Sequence, residues 1–468
     1  MLTSARPLFL SLSLSLLFAV EALAQAPSAQ ISPPASTGRV QPESLLLITM
    51  DTTRPDHLQP YGATNVETPG LQALADSGVV FDHAYSVAPI TLPAHTSIHT
   101  GLYPPQTGVR NNGIHYVPAE VTTLAERLRA AGFHTGAFVS ASVLDHRYGL
   151  NQGFEVYDDD LSSGRERHPR MVPDRPAEST VTAASAWLDK LADGDRYFLW
   201  VHLYDPHATY SPPSPYRDRY QDHLYDGEIA YMDSQIARLL AHPRIAAGRG
   251  VAVIVLADHG ESLGEHGEQT HGILAYDSTL HVPLIMRLPG SKAGTRVAQN
   301  VSQVDLVPTV IDLFHLSGDP GLPGRSLLPL VQGAGPAQSA YAETYLPFYT
   351  YGWAKLRVLR QERWKYIDGP APELYDIMRD PRELSNQLKE QPGIAHDMQR
   401  DFQTLLSSMS SPEREEKLPI DTAAAAVAAN RRGPSRRRHL GFCRLARQRR
   451  RFGQHSRDRG HHRYRRDS

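Results

Sequence analysis

One eleven-residue segment combines a hydroxyl residue, two histidines and the signals of a short helix. Residues 91–101 read Thr-Leu-Pro-Ala-His-Thr-Ser-Ile-His-Thr-Gly. Thr91 stands before Leu-Pro, which is typical of a helix start, and Gly101 is suited to closing the helix. We expect Thr91 to cap this helix, where free backbone N–H groups and the helix dipole favour negative charge. Such a hydroxyl could act as a nucleophile, or it could serve only as the cap.

Three further polar side chains follow long apolar runs. Asp51 comes after one run, and Asp258 and His259 come directly after another. Ligands collect at the carboxyl ends of strands in parallel sheets, so these side chains are expected to meet. Two carboxylates and an imidazole suit a divalent cation, and the Thr91 hydroxyl could be a fourth ligand. The set predicts a divalent-metal site beside a hydroxyl that the metal could activate.

The segments that must position these side chains alternate between two patterns. Unbroken apolar runs predict buried parallel strands, and amphipathic stretches closed by Gly predict helices. Such alternation predicts an α/β fold, in which helices cover both faces of a mostly parallel sheet. Past residue 335, short runs between turn residues predict a small antiparallel sheet and a final helix at about 392–409. The predicted strands of the large sheet are 44–49, 136–139, 197–203 and 250–257, with helices at 68–77 and 121–131.

Taken together, the motifs resemble those of the sulfatase family of the alkaline phosphatase superfamily. Residues 51–56 read Asp-Thr-Thr-Arg-Pro-Asp, which is similar to the family's Asp-Asp-x-Arg-Pro-Asp with Thr52 in place of one carboxylate. Residues 373–376 read Glu-Leu-Tyr-Asp and precede Asp-Pro, Glu and Asn at the family's offsets. The resemblance extends from Leu45 to about Ser411. It implies a mostly parallel central sheet sandwiched by helices, followed by a smaller C-terminal antiparallel sheet plus helix.

The resemblance also implies roles for single residues. Thr91 stands where the family has the Cys or Ser that becomes formylglycine, so no formylglycine can form here and the chemistry must use a hydroxyl. His95 replaces the Arg that orients the nucleophile, and His271 replaces a Lys that contacts sulfate. Asn112 stands where related phosphoesterases hold a non-bridging oxygen, and His207 resembles a His that faces the ester. The candidate catalytic residues are therefore Thr91, His95, Asn112, His207 and His271, and the last three would also bind substrate.

The same resemblance implies one divalent metal ion. Its ligands would be Asp51, Thr91, Asp258 and His259. Calcium is the metal that the family implies, whereas the imidazole of His259 favours manganese or zinc.

The resulting hypothesis is an exported, metal-dependent hydrolase of sulfuric or phosphoric esters with a Thr nucleophile. Phosphate-type esters are favoured, because a threonine sulfate ester would have to be hydrolysed at a poorly electrophilic sulfur. Two alternatives stay open: a phospho-group transferase of the envelope, and a non-catalytic binding protein on a sulfatase scaffold. The expected substrate is a small-molecule, glycan or lipid ester.

The two ends of the chain differ from its body. Residues 1–24 predict a signal peptide, with an apolar run after Arg6 and a small-x-small pattern ending at Ala24, so we expect a periplasmic or extracellular protein. An uncleaved anchor is the alternative. The only cysteine is Cys443, which excludes an intrachain disulfide. The expected organisation is signal peptide 1–24, linker 25–43, catalytic domain 44–335, α+β subdomain 336–415 and an Ala-rich then Arg-rich tail 416–468.

The net charge of −2 conceals an uneven distribution of charged residues. Residues 431–468 hold fifteen Arg, no Lys and two acidic residues, so the rest carries 33 basic against 48 acidic residues. The excess of acidic residues before residue 431 argues against a nucleic-acid partner. No segment after residue 24 predicts stable membrane insertion. The composition of the tail is what translation of a shifted reading frame in GC-rich DNA tends to produce, and we expect the tail to be disordered. The alternative is a basic arm that binds nucleic acid or a membrane. The sequence does not determine the oligomeric state.

Overall fold

The computed structural model of the protein describes residues 41–162, 174–246 and 250–409. The described residues from 42 to 409 belong to one unit of contacts. The predicted signal peptide, nearly all of the predicted linker and the Arg-rich tail lie outside the described residues. Within the described ranges, no helix has the length and apolar character needed to cross a membrane.

Eight strands form the central sheet. They are β1 (Ser44–Met50), β2 (Val79–Tyr85), β3 (His134–Phe138), β4 (Val156–Asp158), β5 (Tyr197–Leu203), β6 (Val251–Ala257), β7 (His281–Arg287) and β8 (Thr295–Ser302). The order across the sheet is β4-β3-β5-β1-β6-β7-β2-β8. Only β7 runs antiparallel to its neighbours. The predicted mostly parallel sheet is therefore confirmed, and it includes all four predicted strands.

The three central strands are apolar because both of their faces are covered. Every residue of β1, β5 and β6 is buried. Met50 at the end of β1 pairs with Leu203 of β5 and with Ala257 of β6. The chain therefore leaves β1 and β6 at the same level, which places Asp51 beside Asp258.

The helices that accompany these strands range from one turn to five. They are α1 (Pro69–Ser77), α2 (Thr91–Thr100), α3 (Pro104–Thr107), α4 (Leu124–Ala130), α5 (Ala177–Leu188), α6 (Tyr216–Arg219), α7 (Leu224–Leu240), α8 (Pro243–Ala246), α9 (Asp277–Leu280), α10 (Leu306–Leu313), α11 (Leu328–Val331), α12 (Leu346–Tyr351) and α13 (Pro392–Ser408). The helix predicted at 121–131 begins three residues later, because Thr123 and Glu126 form a capping box there.

A second sheet follows, as the sequence predicts. Its strands are β9 (Ala340–Thr344), β10 (Leu356–Arg360), β11 (Trp364–Asp368) and β12 (Glu373–Asp376), all antiparallel in the order β12-β11-β10-β9. Helix α13 covers it, with the ring of Phe402 packed on Tyr341 and Tyr366. Strand β9 is the part of this sheet that the sequence analysis does not predict.

Candidate active site

Four side chains that the sequence analysis assigns to a metal converge at the carboxyl ends of the central strands. Asp51 follows β1, Asp258 and His259 follow β6, and Thr91 is the first residue of α2. All four are buried. The Thr91 Oγ1 atom lies 3.4 Å from His259 Nε2, which in turn lies 3.4 Å from Asp258 Oδ2 and 4.0 Å from Asp51 Oδ1.

Thr91 does not cap α2, so that expectation is wrong. Ile90 occupies the N-cap position, and no side chain there accepts a helix N–H. Instead, Asn112 Oδ1 accepts the N–H of Leu92 at 2.8 Å. The asparagine thus supplies the hydrogen bond that a capping Thr would have supplied. The Thr91 hydroxyl is left directed towards His259, at the positive end of the helix dipole.

Each of the two buried carboxylates has one oxygen held by protein donors and one that accepts no hydrogen bond. Asp258 Oδ1 accepts the N–H groups of His259 at 2.7 Å and Thr52 at 3.2 Å, and Oδ2 is unpartnered. Asp51 Oδ2 lies 3.3 Å from His202 Nε2, and Oδ1 is unpartnered. A buried oxygen without a donor is costly unless a cation or another group satisfies it.

His259 completes this set through the tautomer that its surroundings select. Its Nδ1 lies 3.0 Å from the Gly260 carbonyl oxygen, an acceptor, so Nδ1 carries the proton. The lone pair is then on Nε2, which faces Thr91 and the two carboxylates. Ligand atoms of Asp51, Asp258 and His259 lie within 4.8 Å of one another. Two unpartnered carboxylate oxygens and one imidazole lone pair therefore fit a divalent cation.

The electrostatics of the three residues agree with this fit. Burial raises the pKa of Asp51 and Asp258 above the usual carboxyl range, and the negative charge of Asp51 adds to the rise at Asp258. Burial likewise lowers the pKa of His259 well below its ordinary value. Two negative charges this close and this buried are unfavourable without a positive partner.

His95 lies beneath the candidate nucleophile as a neutral hydrogen-bonding group. Its Nδ1 lies 2.8 Å from the Thr91 carbonyl oxygen, to which it donates, and its Nε2 lies 3.0 Å from Thr49 Oγ1. The indole N–H of Trp200 donates to the same Thr49 oxygen, so the Thr49 hydroxyl donates to His95. Burial lowers the pKa of His95 well below its ordinary value. The residue therefore holds the start of α2 by hydrogen bonds rather than by charge.

His202 is a site residue that the sequence analysis does not assign. The Ser140 N–H donates to His202 Nδ1 at 3.3 Å, so the proton is on Nε2, which donates to Asp51. With His95 and Asp258 it forms a second set of donor atoms within 4.8 Å. The histidine nitrogens of that set are already committed to protein hydrogen bonds. His202 therefore positions Asp51, and His95 positions the start of α2.

His271 reaches the site from the loop before α9. Its Nδ1 lies 2.9 Å from Glu261 Oε1, and the hydroxyl of Tyr210 donates to Glu261 Oε2 at 3.1 Å. The His271 ring is centred 4.5 Å from that of His259. Burial opposes its charged form, but the hydrogen bond and charge of Glu261 outweigh this effect and raise the pKa of His271 to about 9. Glu261 thus favours the charged form of the His271 imidazole.

His207 lies next to His271, with ring centroids 5.2 Å apart, and is stacked on Tyr204. Its Nδ1 donates to the Ala208 carbonyl at 2.7 Å. All eight candidate residues of the sequence analysis are thereby gathered around one point. Their chemical roles stay predictions. Asp205, which also follows a strand, accepts the N–H of Ala177 at the start of α5.

Glu261 and His202 could have been found from the sequence by position alone. His202 is the next-to-last residue of β5, and Glu261 comes two residues after His259. Each belongs to a segment with a candidate residue, but a hydrogen-bonding partner has no spacing rule of its own. Their contribution depends on which neighbour they face, and that depends on the packing.

Comparison with known proteins identifies the family of the chain. A family model described as Sulfatase matches residues 43–316, which is more than half of the chain. A second model, described as N-sulphoglucosamine sulphohydrolase, C-terminal, matches residues 264–411.

Individual relatives agree with these matches. An ulvan-active sulfatase of Formosa agariphila is 26% identical over 395 residues, covering 74% of this chain and 77% of the relative. Arylsulfatase K of Mus musculus is 24% identical over 422 residues, covering 74% and 75%. Among solved structures, the phosphonate monoester hydrolase of Agrobacterium radiobacter superposes with a TM-score of 0.69 at 22% identity, covering 79% of this chain and 96% of that one. That structural likeness indicates a shared fold.

Proposed function

Because the chain belongs to the sulfatase family, a family of ester-bond hydrolases, we propose that it cleaves sulfuric or phosphoric esters with the Thr91 hydroxyl as nucleophile. One observation carries the proposal. The Thr91 hydroxyl, the lone pair of His259 and the unpartnered oxygens of Asp51 and Asp258 face one buried point. No purely structural role accounts for two adjacent buried carboxylate oxygens without donors.

A divalent cation fits these groups, with Asp51, Asp258, His259 and Thr91 as its ligands. When bound, the cation would supply positive charge that stabilises the transferred group and acidifies the hydroxyl. Calcium, manganese and zinc are all compatible with two carboxylates, a hydroxyl and one imidazole.

The protein side chains perform the remaining work. Thr91 Oγ1 attacks the sulfur or phosphorus in line and forms a new ester bond while the bond to the leaving oxygen breaks. The leaving oxygen departs as an alcohol, and the proton that the Thr91 hydroxyl releases balances the charge on it. The His271 imidazolium, held by Glu261, faces the site and would stabilise negative charge on the transferred group. The imidazole of His207, next to His271, and the amide of Asn112 complete the candidate substrate contacts. Water then attacks the threonine ester and regenerates the hydroxyl.

Phosphate-type esters are the proposed preference. The threonine ester cannot collapse to an aldehyde as a formylglycine hydrate does, so its hydrolysis depends on attack at the central atom. Phosphorus accepts such attack more readily than sulfur does.

We further propose that the protein is exported and acts on a small-molecule, glycan or lipid ester. The predicted signal peptide motivates the first part. N-terminal sequencing of the mature protein would test it, with a start near Gln25 expected; a start at Met1 would contradict export by cleavage.

The decisive assay uses the purified protein with an aryl sulfate, a phosphate monoester, a phosphodiester and a phosphonate, together with a measurement of bound metal. We expect turnover of at least one phosphate-type ester above that of the aryl sulfate. Faster turnover of the sulfate, lost in Thr91→Ala, would refute the preference and keep the nucleophile. An alcohol added as acceptor separates hydrolysis from transfer, because a transferase forms the new ester. No turnover of any ester by metal-loaded protein would favour a binding protein.

A further inference from the structure

A group of exposed aromatic side chains lies in and just after helix α12. We call Phe348, Tyr351 and Trp353 the aromatic rim; their exposed fractions are 39%, 55% and 58%. The rings of Tyr351 and Trp353 lie 4.9 Å apart at an interplanar angle of 34°. Large aromatic side chains usually bury most of their surface, so three exposed together indicate a contact surface.

The aromatic rim belongs to a helix that borders the candidate active site. A Cβ placed on Gly272 would lie 3.2 Å from Leu346 Cδ1 of α12 and 3.7 Å from Ile90 Cγ1. Gly272 directly follows His271, and Ile90 directly precedes Thr91. Helix α12 therefore packs against the residue after one candidate substrate contact, and the segment that leads to the candidate nucleophile lies beside that same residue.

A second set of contacts ties the same helix to the loop of Asn112. The Tyr349 ring meets the His115 ring edge-on, with centroids 5.2 Å apart. The Arg110 guanidinium lies 4.5 Å from the centre of the Tyr345 ring. Since His115 and Arg110 flank Asn112 in sequence, the helix touches the neighbours of a third candidate residue.

This placement determines what the rim can contact. The inner site consists of carboxylates and imidazoles, which suit a cation and the anionic group of the ester. The group that carries the ester must extend outward past the bordering residues. Lys355 Nζ lies 4.6 Å from the Phe348 ring centre and 4.7 Å from that of Tyr345, so a positive charge also accompanies these aromatic faces.

We propose that the aromatic rim binds the ring of the group that carries the ester, by stacking it on Tyr351 and Trp353. The proposal rests on the proposed function, because it assigns the leaving part of the same substrate. The ring would be an aryl group or a sugar ring, both of which present a flat apolar face. An ester without a ring would lack this contact.

The test compares three esters of the same acid. They are the phenyl ester, the ester of the 6-hydroxyl group of a hexopyranose, and the methyl ester. Trp353→Ala and Tyr351→Ala remove the proposed contacts, and both side chains are exposed, so the core is untouched. Met378→Ala is the matched control. The Met378 side chain is 67% exposed. Met378 comes after β12, which is one edge strand of the small sheet, whereas α12 follows β9, which is the other edge strand.

We expect kcat/KM to fall about three- to tenfold for a ring ester in both aromatic variants, the size of an aromatic stacking contact. The methyl ester should be turned over at the parental rate by both, and Met378→Ala should match the parent on all three esters. The variant-to-parent ratio for each ester cancels differences in leaving-group reactivity. A loss on the phenyl ester alone assigns an aryl substrate, and a loss on the hexopyranose ester assigns a sugar.

Equal losses on methyl and ring esters, or no loss, would overturn the proposal while turnover by the parent still supported the proposed function. No turnover of the methyl ester or the ring esters by the parent would refute the proposed function, and this proposal with it. Flotation with vesicles of phosphatidylethanolamine and phosphatidylglycerol tests whether the aromatic rim binds a lipid surface instead. Vesicle binding that is lost in Trp353→Ala, with ring selectivity unchanged, would overturn the proposal in favour of a lipid surface.

Discussion

A buried lysine joins the small sheet to the catalytic part of the chain, and its removal should be strongly destabilising. Lys365 Nζ lies 2.7 Å from Asp277 Oδ1 and 2.7 Å from Glu383 Oε1. The Asp277 N–H donates to the other Glu383 oxygen at 2.6 Å. The lysine side chain is 1% exposed, and those of Asp277 and Glu383 are 12% and 2% exposed.

Lys365→Met removes the cation and keeps most of the volume, so two nearly buried carboxylates lose their partner. Breaking a buried ion pair by removing one member destabilises proteins by about 3–5 kcal/mol. At roughly 2 °C per kcal/mol for a domain of this size, Tm should fall by about 6–10 °C. Urea unfolding and thermal melting measure the two quantities. Lys389→Met, at an exposed position, is the matched control and should change stability by less than about 0.5 kcal/mol.

The loss should also depend on pH. Burial raises the pKa of Glu383 to about 7, although Lys365 opposes the rise. Because this pKa is raised above the unfolded value, the contribution of Glu383 to stability is present below its ordinary pKa of 4.5 and is lost as pH rises through about 7. In Lys365→Met, protonation of Glu383 removes one of the two unpaired charges. The variant should therefore lose less stability at about pH 6 than at about pH 8.

A second substitution tests whether the unpaired carboxylates cause the loss of stability. Glu383→Gln in the Lys365→Met background removes one unpaired charge and should recover part of the lost stability at about pH 8. A loss in Lys365→Met no larger than in Lys389→Met would refute the reasoning. So would a loss that is independent of pH.

The other predictions concern the candidate site and the chain end. Thr91→Ala should abolish turnover, whereas Thr91→Ser should retain part of it; turnover by the alanine variant in the same assay would exclude the nucleophile. Asp258→Ala or His259→Ala should remove bound metal and activity while the circular-dichroism spectrum stays native, and metal content equal to the parent's would contradict the ligand assignment. Deletion of 431–468 should leave turnover and Tm unchanged; a clear fall in Tm would show that the tail packs on the body.

The residues of the C-terminal signature have structural explanations that the sequence alone did not supply. Glu383 binds Lys365 and the N–H of Asp277, and Asn386 Oδ1 accepts the N–H groups of Leu374 and Leu388. The pattern was recognisable because its offsets are fixed. The physical basis of the Glu383 position in this pattern is a contact that joins β11, the loop after β12 and the start of α9.

The sequence by itself determined the α/β class and the strands β1, β3, β5 and β6. A strand buried on both faces must be apolar throughout, and that signal is local. It also located Asp51, Asp258 and His259 directly after strands, because a charged group is unfavourable inside a strand that is buried on both faces. Strand β2 was missed because Asp82 and His83 interrupt its apolar pattern, and β8 was missed because polar residues are mixed along it.

Only the tertiary structure decided how the candidate residues are bonded. Asn112 rather than Thr91 satisfies the start of α2, and His202 and Glu261 hold Asp51 and His271. None of these pairings follows the spacing of a helix or a strand, so no periodicity in the sequence encodes it. The pairings follow from strand register and helix packing, which bring one donor to one acceptor and leave two carboxylate oxygens facing the Thr91 hydroxyl.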